Sequence, residues 1–209
     1  MADLLLLCIA LTGFAVLGTS RLSGCIRILA WQGALLGVLP LFLDDPRSWH
    51  VVLLAAGTVV VKAFVLPSLL RWAMREAAAR REVEPLVGYA GSMLLGVVAL
   101  GVSFAVARRL PSLEHGGLLI PVALLSLIIG LIVLITRNKA VTQVVGYLIL
   151  ENGIYLFGLT QVQRVPFLVE LGVLLDVFVG VFIMGIVVFH INREFDSISA
   201  TQLSQLRER

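Results

Sequence analysis

Long apolar runs alternate with short polar breaks along almost the whole chain. Seven runs stand out, each close to the roughly 20 residues that a helix needs to cross a bilayer. They cover residues 4–19, 26–43, 51–70, 86–107, 117–135, 140–159 and 166–189. The breaks between them carry charged residues or proline, which are typical of loops outside the bilayer. The pattern therefore predicts an all-α protein with seven transmembrane helices.

Composition agrees with this interpretation and excludes a disordered protein and a compact soluble domain. The 209 residues are 59% hydrophobic and 14% charged, whereas an average soluble domain is about 45–50% apolar and about 25% charged. The mean hydropathy is +1.03. Basic loops of a membrane protein account for the net charge of +3, so this charge does not indicate nucleic-acid binding. We predict a polytopic integral membrane protein whose partner is the lipid bilayer.

The sequence offers no signal of a catalytic or metal site. It contains no Walker A loop, no GxSxG elbow, no HExxH and no dinucleotide fingerprint. Its two cysteines, Cys8 and Cys25, lack the CxxC spacing of an iron–sulfur or zinc site. We therefore predict no catalytic residue, no metal ligand and no cofactor in this chain.

The distribution of Lys and Arg between the loops predicts the orientation. Loops on the side of the N-terminus hold four basic residues: Arg47, Arg108, Arg109 and Arg164. The opposite side holds eleven: Arg21, Arg27, Arg71, Arg75, Arg80, Arg81, Arg137, Lys139, Arg193, Arg207 and Arg209. Because cytoplasmic loops are enriched in basic residues, the N-terminus is predicted outside and the C-terminus in the cytoplasm.

The chain is predicted to form a single membrane domain, 1–209, with an internal parallel repeat. An offset of 116 residues places Ser20-Arg21 over Thr136-Arg137 and spans 1–3 over spans 5–7. The predicted units are a first three-helix unit at 1–85, a connecting helix at 86–116, a second three-helix unit at 117–191 and a cytoplasmic tail at 192–209.

Three ionisable residues lie deep inside apolar runs: Lys62, Glu151 and Asp176. Each is within about two residues, or roughly 3 Å, of the centre of its span. A charged residue at that depth costs about 2.5–3.5 kcal/mol, so three that faced lipid alone would cost roughly 8–10 kcal/mol. We therefore expect them to face the interior, where they pair, lose their charge or border water.

Polar neighbours support an interior position for these charges. Tyr147 and Tyr155 lie four residues before and after Glu151, on the same face of a helix. We place five residues in supporting positions: Tyr147, Tyr155, Asn152, Glu170 and Gln32. Two interpretations of the three charges stay open. They form a proton relay through the hydrophobic layer, or they form a buried ion pair that only fixes the helix register.

Three segments resemble the membrane component E of hydrogenase-4 and of related formate-hydrogenlyase-type complexes. They are VVVKAFVLPSLL (59–70), VGYLILENGIYLF (145–157) and VELGVLLDVFVGVFIM (169–184). The last three spans are also similar to subunit K of respiratory complex I and to the C subunit of Mrp-type antiporters. This second resemblance has a departure, because the glutamate of subunit K falls on Leu148 and the acid here is Glu151. At the second acidic position Asp176 replaces glutamate.

The resemblance implies a membrane subunit of an energy-converting [NiFe]-hydrogenase complex in the plasma (inner) membrane of a prokaryote. Glu151 and Asp176 would then be proton-relay carboxylates, and Lys62 their relay or charge-modulating partner. The chain would not be an enzyme on its own. Nickel–iron and iron–sulfur centres would lie in peripheral hydrogenase-type subunits, beside antiporter-like membrane subunits. The alternatives are a structural subunit of an Mrp-type or complex I-related antiporter assembly, and an independent cation/proton transporter.

Overall fold

The computed structural model describes residues 1–19, 21–43, 49–76, 87–110, 117–137, 139–160, 176 and 178–185. Every secondary-structure element of more than one residue in this part of the chain is a helix. In chain order they are α1 (Ala2–Leu17), α2 (Leu22–Val38), α3 (Pro40–Leu43), α4 (Trp49–Val59), a π-helical segment (Val60–Val65), α5 (Leu66–Glu76), α6 (Tyr89–Ala107), α7 (Leu119–Thr136) and α8 (Ala140–Leu159). Asp176 and residues 178–185 are helical as well. The all-α prediction is confirmed for this part of the chain.

Four helical stretches among the described residues are long and apolar enough to cross a membrane. They are Leu22–Leu43, Val51–Arg75, Tyr89–Ala107 and Leu119–Thr136. Helices α1, with 16 residues, and α8, with 20, match predicted runs to within two residues. Most of the seventh predicted span, 166–189, and the whole tail lie outside the described residues. The count of seven, the repeat, the unit boundaries and the orientation stay predictions.

Two apolar clusters fill the interior, and a thin polar layer separates them. On α2, the first cluster ends at Leu29 and the second begins at Leu36. On α8, the first cluster ends at Ile149 and the second begins at Tyr155. Three buried polar side chains of these helices lie in the two intervals: Gln32, Glu151 and Asn152. Thr142, at the start of α8, is also buried but lies outside them. The polar layer is therefore enclosed by hydrocarbon on both sides.

Helices α7 and α8 pack closely, and this contact fixes the position of Glu151. A Cβ atom added at Gly130 would collide with the backbone of Leu150, and one added at Gly146 would lie 2.6 Å from the backbone nitrogen of Leu134. Small residues permit such close backbone approach between membrane helices. Larger side chains at these positions would push the two helices apart, so the glycines allow α8 to lie against α7.

Arg137, which follows α7, is buried rather than exposed in a loop. Only 2% of its surface is exposed. Its guanidinium donates a hydrogen bond to the carbonyl oxygen of Leu17 at 3.3 Å and lies 5.6 Å from the centre of the Tyr89 ring. Arg137 thus joins the end of α1 and the start of α6 to the α7–α8 connection.

Candidate functional site

Lys62 lies between two carboxylates in the middle of the bundle. Its ammonium donates hydrogen bonds to Glu151 Oε2 on α8 and to Asp176 Oδ1, the latter at 3.1 Å. The side chains of Lys62, Glu151 and Asp176 are 5%, 0% and 6% exposed. The structure therefore brings together all three charges that the sequence placed at one depth. We call these three residues the charge triad.

A local change in helix type presents Lys62 to the acids. Residues Val60–Val65 are π-helical, and the backbone N–H of Leu66 bonds to the carbonyl of Val61, five residues earlier. Pro67 follows, and because it has no N–H, the bond to the carbonyl of Ala63 cannot form. Single π-helical turns inside α-helices are rare, and a large share of those that occur are at functional sites.

Helix α2 packs directly on the backbone of this π-helical turn. A Cβ atom added at Gly33 would lie 2.7 Å from the carbonyl carbon and oxygen of Lys62, and one added at Gly37 would lie 2.8 Å from the backbone nitrogen of Val59. Both contacts are shorter than real Cβ atoms make. The two glycines, one helical turn apart, therefore allow α2 to form one wall of the site.

An aromatic ring and a hydroxyl pair extend the site towards the second apolar cluster. The ammonium of Lys62 lies 5.7 Å from the centre of the Tyr155 ring, within the range of a cation–π interaction. The Tyr155 hydroxyl is 3.5 Å from Thr58 Oγ1, and both residues are buried. Thr58 was not among the residues predicted from the sequence. Its position four residues before Lys62, on the same helix face, is the signal that would have identified it.

Two amide side chains form a second polar contact in the same layer. Asn152 Nδ2 donates a hydrogen bond to Gln32 Oε1 at 3.0 Å, and the two residues are 3% and 1% exposed. Two buried atoms of the layer have no hydrogen-bond partner among the described residues, Gln32 Nε2 and Glu151 Oε1. Because buried polar atoms are normally paired, this layer has unused hydrogen-bonding capacity on both α2 and α8.

The remaining predicted residues lie elsewhere. Tyr147 lines a pocket of about 530 Å³ that also contains Gln143, Phe178 and Phe182. Glu170 lies outside the described residues. Within the part of the chain that the structure covers, no group of three His, Cys, Asp or Glu side chains is arranged to hold a metal ion.

The charge triad combines one cation with two potential anions. If both carboxyl groups are ionised, the buried site carries one excess negative charge. An uncompensated charge in a low-dielectric interior is costly, and a proton bound to either carboxyl group removes it. The arrangement is therefore chemically suited to hold one proton and to exchange it between Glu151 and Asp176, with Lys62 in contact with both.

Comparison with known proteins gives two kinds of relative. The chain is 38% identical to the uncharacterized protein Rv0085 of Mycobacterium tuberculosis over 192 residues, which are 90% of this chain and 87% of the relative. It is 25% identical to hydrogenase-4 component E of Escherichia coli K12 over 160 residues, 76% of this chain and 74% of the relative. The same values hold for component E of Shigella flexneri.

Two further comparisons found nothing. No protein-family model matches the chain, and no solved structure matches it. The similarity to hydrogenase-4 component E bears out the first resemblance seen in the sequence. The similarity to subunit K and to the Mrp C subunit stays a prediction.

Proposed function

Because the chain belongs to the same family as Rv0085 of Mycobacterium tuberculosis and is distantly similar to hydrogenase-4 component E, we propose that it is a membrane subunit of a hydrogenase-type complex. Its role in that complex is to carry protons within the membrane while partner subunits transfer electrons. The chain is non-catalytic on its own. It resides in the plasma membrane of a prokaryote, with its N-terminus outside and its C-terminus in the cytoplasm.

The observation that carries this proposal is the contact of one lysine with two acids inside an apolar bundle. A buried ion pair that fixed only the helix register would need one carboxylate for one ammonium. The second carboxylate adds a negative charge that a structural role does not require. Because this buried charge is uncompensated, it favours the binding of a proton by the site. Intramembrane ionisable residues of this kind mark proton and ion pathways in membrane proteins.

Each member of the charge triad has a defined role in this proposal. Glu151 and Asp176 accept and release the proton. Lys62 keeps the other carboxylate ionised and moves its hydrogen bonds between the two acids as the proton changes position. Tyr155 lies against the ammonium, and Gln32 and Asn152 supply polar groups at the α2 side. Nickel–iron and iron–sulfur centres belong to partner subunits, and antiporter-like subunits continue the path.

Purification of the tagged native chain in mild detergent tests membership of the complex. We expect large antiporter-like subunits to co-purify, together with nickel and iron. Antiporter-like partners without metal would instead indicate an Mrp-type assembly. A chain that purifies alone and transports protons in liposomes would indicate an independent transporter, and either result would contradict the proposal.

Neutral substitutions test the relay itself. Glu151→Gln and Asp176→Asn keep the shape of each side chain but remove its ability to exchange a proton. We expect both variants to assemble normally and to lose proton translocation coupled to turnover. Asp3→Asn is the matched control, because it removes a carboxylate from the exposed first turn of α1. If both triad variants pump as well as Asp3→Asn does, the relay assignment is wrong.

The second candidate function is a structural subunit that anchors or spaces the antiporter-like subunits. The close packing of α8 on α7 at Gly130 and Gly146 favours a rigid structural element. This function predicts that neutral triad variants keep normal pumping, whereas Gly130→Leu abolishes assembly. The proposed relay also needs that packing, so the triad variants decide between the two.

A further inference from the structure

A small cavity lies beside the charge triad, on the side of the amide pair. Its volume is about 10 Å³, close to the minimum of roughly 10–15 Å³ that holds one water molecule. Two polar residues, Lys62 and Asn152, line it together with Leu29, Leu66 and Leu148. The cavity therefore lies between the two polar contacts of the layer and has the size of a single solvent molecule.

The polar groups at this cavity have hydrogen-bonding capacity that no described side chain uses. An ammonium has three N–H donors, and Lys62 directs two of them at Glu151 and Asp176. Asn152 uses one N–H on Gln32, and among the described residues its carbonyl oxygen accepts no bond. The two polar residues that line the cavity thus have one unused donor and one unused acceptor between them. Buried waters typically make two to four such bonds.

We propose that one ordered water occupies this cavity, accepts a hydrogen bond from the third N–H of Lys62 and donates one to the carbonyl oxygen of Asn152. The water joins the charge triad to the Gln32–Asn152 pair, so that α2 becomes part of the same network. Asn152 is then a positioning residue, which acts on Lys62 through the water.

The water has a specific task in the relay, and this part of the inference rests on the proposed function. When one carboxyl group takes up a proton, it holds the ammonium less strongly, because its negative charge is gone. A water on the third N–H keeps the ammonium solvated while its other bonds rearrange. Without that water, the Lys62 ammonium would have hydrogen bonds only to the two acids, and the proton would move between the acids more slowly.

A high-resolution structure of the intact complex tests the water directly. We expect density within hydrogen-bonding distance of Lys62 Nζ and Asn152 Oδ1. Its absence from a map that shows other buried waters would overturn the proposal. This measurement is independent of proton transport, so it decides the water site even if Glu151→Gln and Asp176→Asn pump normally and the relay itself is wrong.

A cavity-filling variant tests the task of the water. Leu148→Phe places a larger side chain in the cavity, and Leu156→Phe is its control, because Leu156 is equally buried on α8 but belongs to the other apolar cluster. We expect Leu148→Phe to remove the water density and to slow coupled proton translocation by about 10- to 150-fold, the range for losing one hydrogen bond to a charged group. Equal rates in the two variants would show that the water has no such task.

Discussion

Removal of Lys62 gives the most direct energetic test of the charge triad. Lys62→Met keeps an unbranched apolar stem but removes the ammonium, so that Glu151 and Asp176 face each other without a cation. In the native structure both carboxyl groups are buried, at 0% and 6% exposure. Breaking a buried ion pair by removing one partner costs about 3–5 kcal/mol, because the remaining charge is uncompensated.

Neutralising both carboxylates in addition to the lysine should restore stability, because no uncompensated buried charge is then left. In the triple variant Lys62→Met, Glu151→Gln, Asp176→Asn no charge of the triad is left. Replacing a complete buried ion network by hydrophobic residues of similar volume is often neutral or stabilising, and a buried amide costs far less than an unpaired buried charge. We therefore expect the triple variant to be more stable than Lys62→Met alone, although it carries two more substitutions.

Thermal unfolding of the purified protein in detergent measures both effects. For a chain of about 150–250 residues, 1 kcal/mol corresponds to roughly 2–4 °C in Tm. Lys62→Met should thus lower the Tm by about 6–20 °C, and the triple variant should regain most of that loss. A triple variant that is less stable than Lys62→Met would refute the reasoning, and so would a Lys62→Met protein with the native Tm.

Two further predictions follow from the geometry. Leu148 borders the same cavity as the lysine of the triad. A Leu148→Glu substitution in the Glu151→Gln background should therefore restore part of the lost proton translocation, whereas Leu156→Glu in that background should not. Equal activity of the two double variants would contradict this prediction. Gly33→Ala should displace the π-helical turn and reduce coupled translocation, because its Cβ would lie 2.7 Å from the backbone there. Gly57→Ala, with nothing within 4 Å, should leave translocation unchanged, and a comparable loss in both alanine variants would rule out this role for the packing of α2.

The depth of the buried charges was predictable from the sequence, whereas their partners were not. The centres of the apolar runs placed Lys62, Glu151 and Asp176 at one level, because apolar length fixes where each helix meets the membrane surfaces. That both acids contact Lys62 could not be derived, since they lie 89 and 114 residues away along the chain. Such contacts depend on how the helices are rotated and packed.

The local backbone conformation around Lys62 could not be predicted from the sequence either. Pro67 removes one backbone hydrogen bond near Lys62, but an α-helical kink and a π-helical turn are both compatible with that loss. Packing of α2 through Gly33 accompanies the π-helical geometry. Gln32 and Asn152 were selected as separate polar residues, and only the folded bundle shows that they bond to each other.

The number of protons translocated per electron transferred by the intact complex tests the central claim most directly. It should be measured in membrane vesicles for the native complex and for Glu151→Gln, Asp176→Asn and Asp3→Asn, with equal assembly checked in each. The relay predicts that the two triad variants have a lower ratio, while Asp3→Asn keeps the native one. An unchanged ratio in both triad variants would contradict a proton path through Glu151 and Asp176.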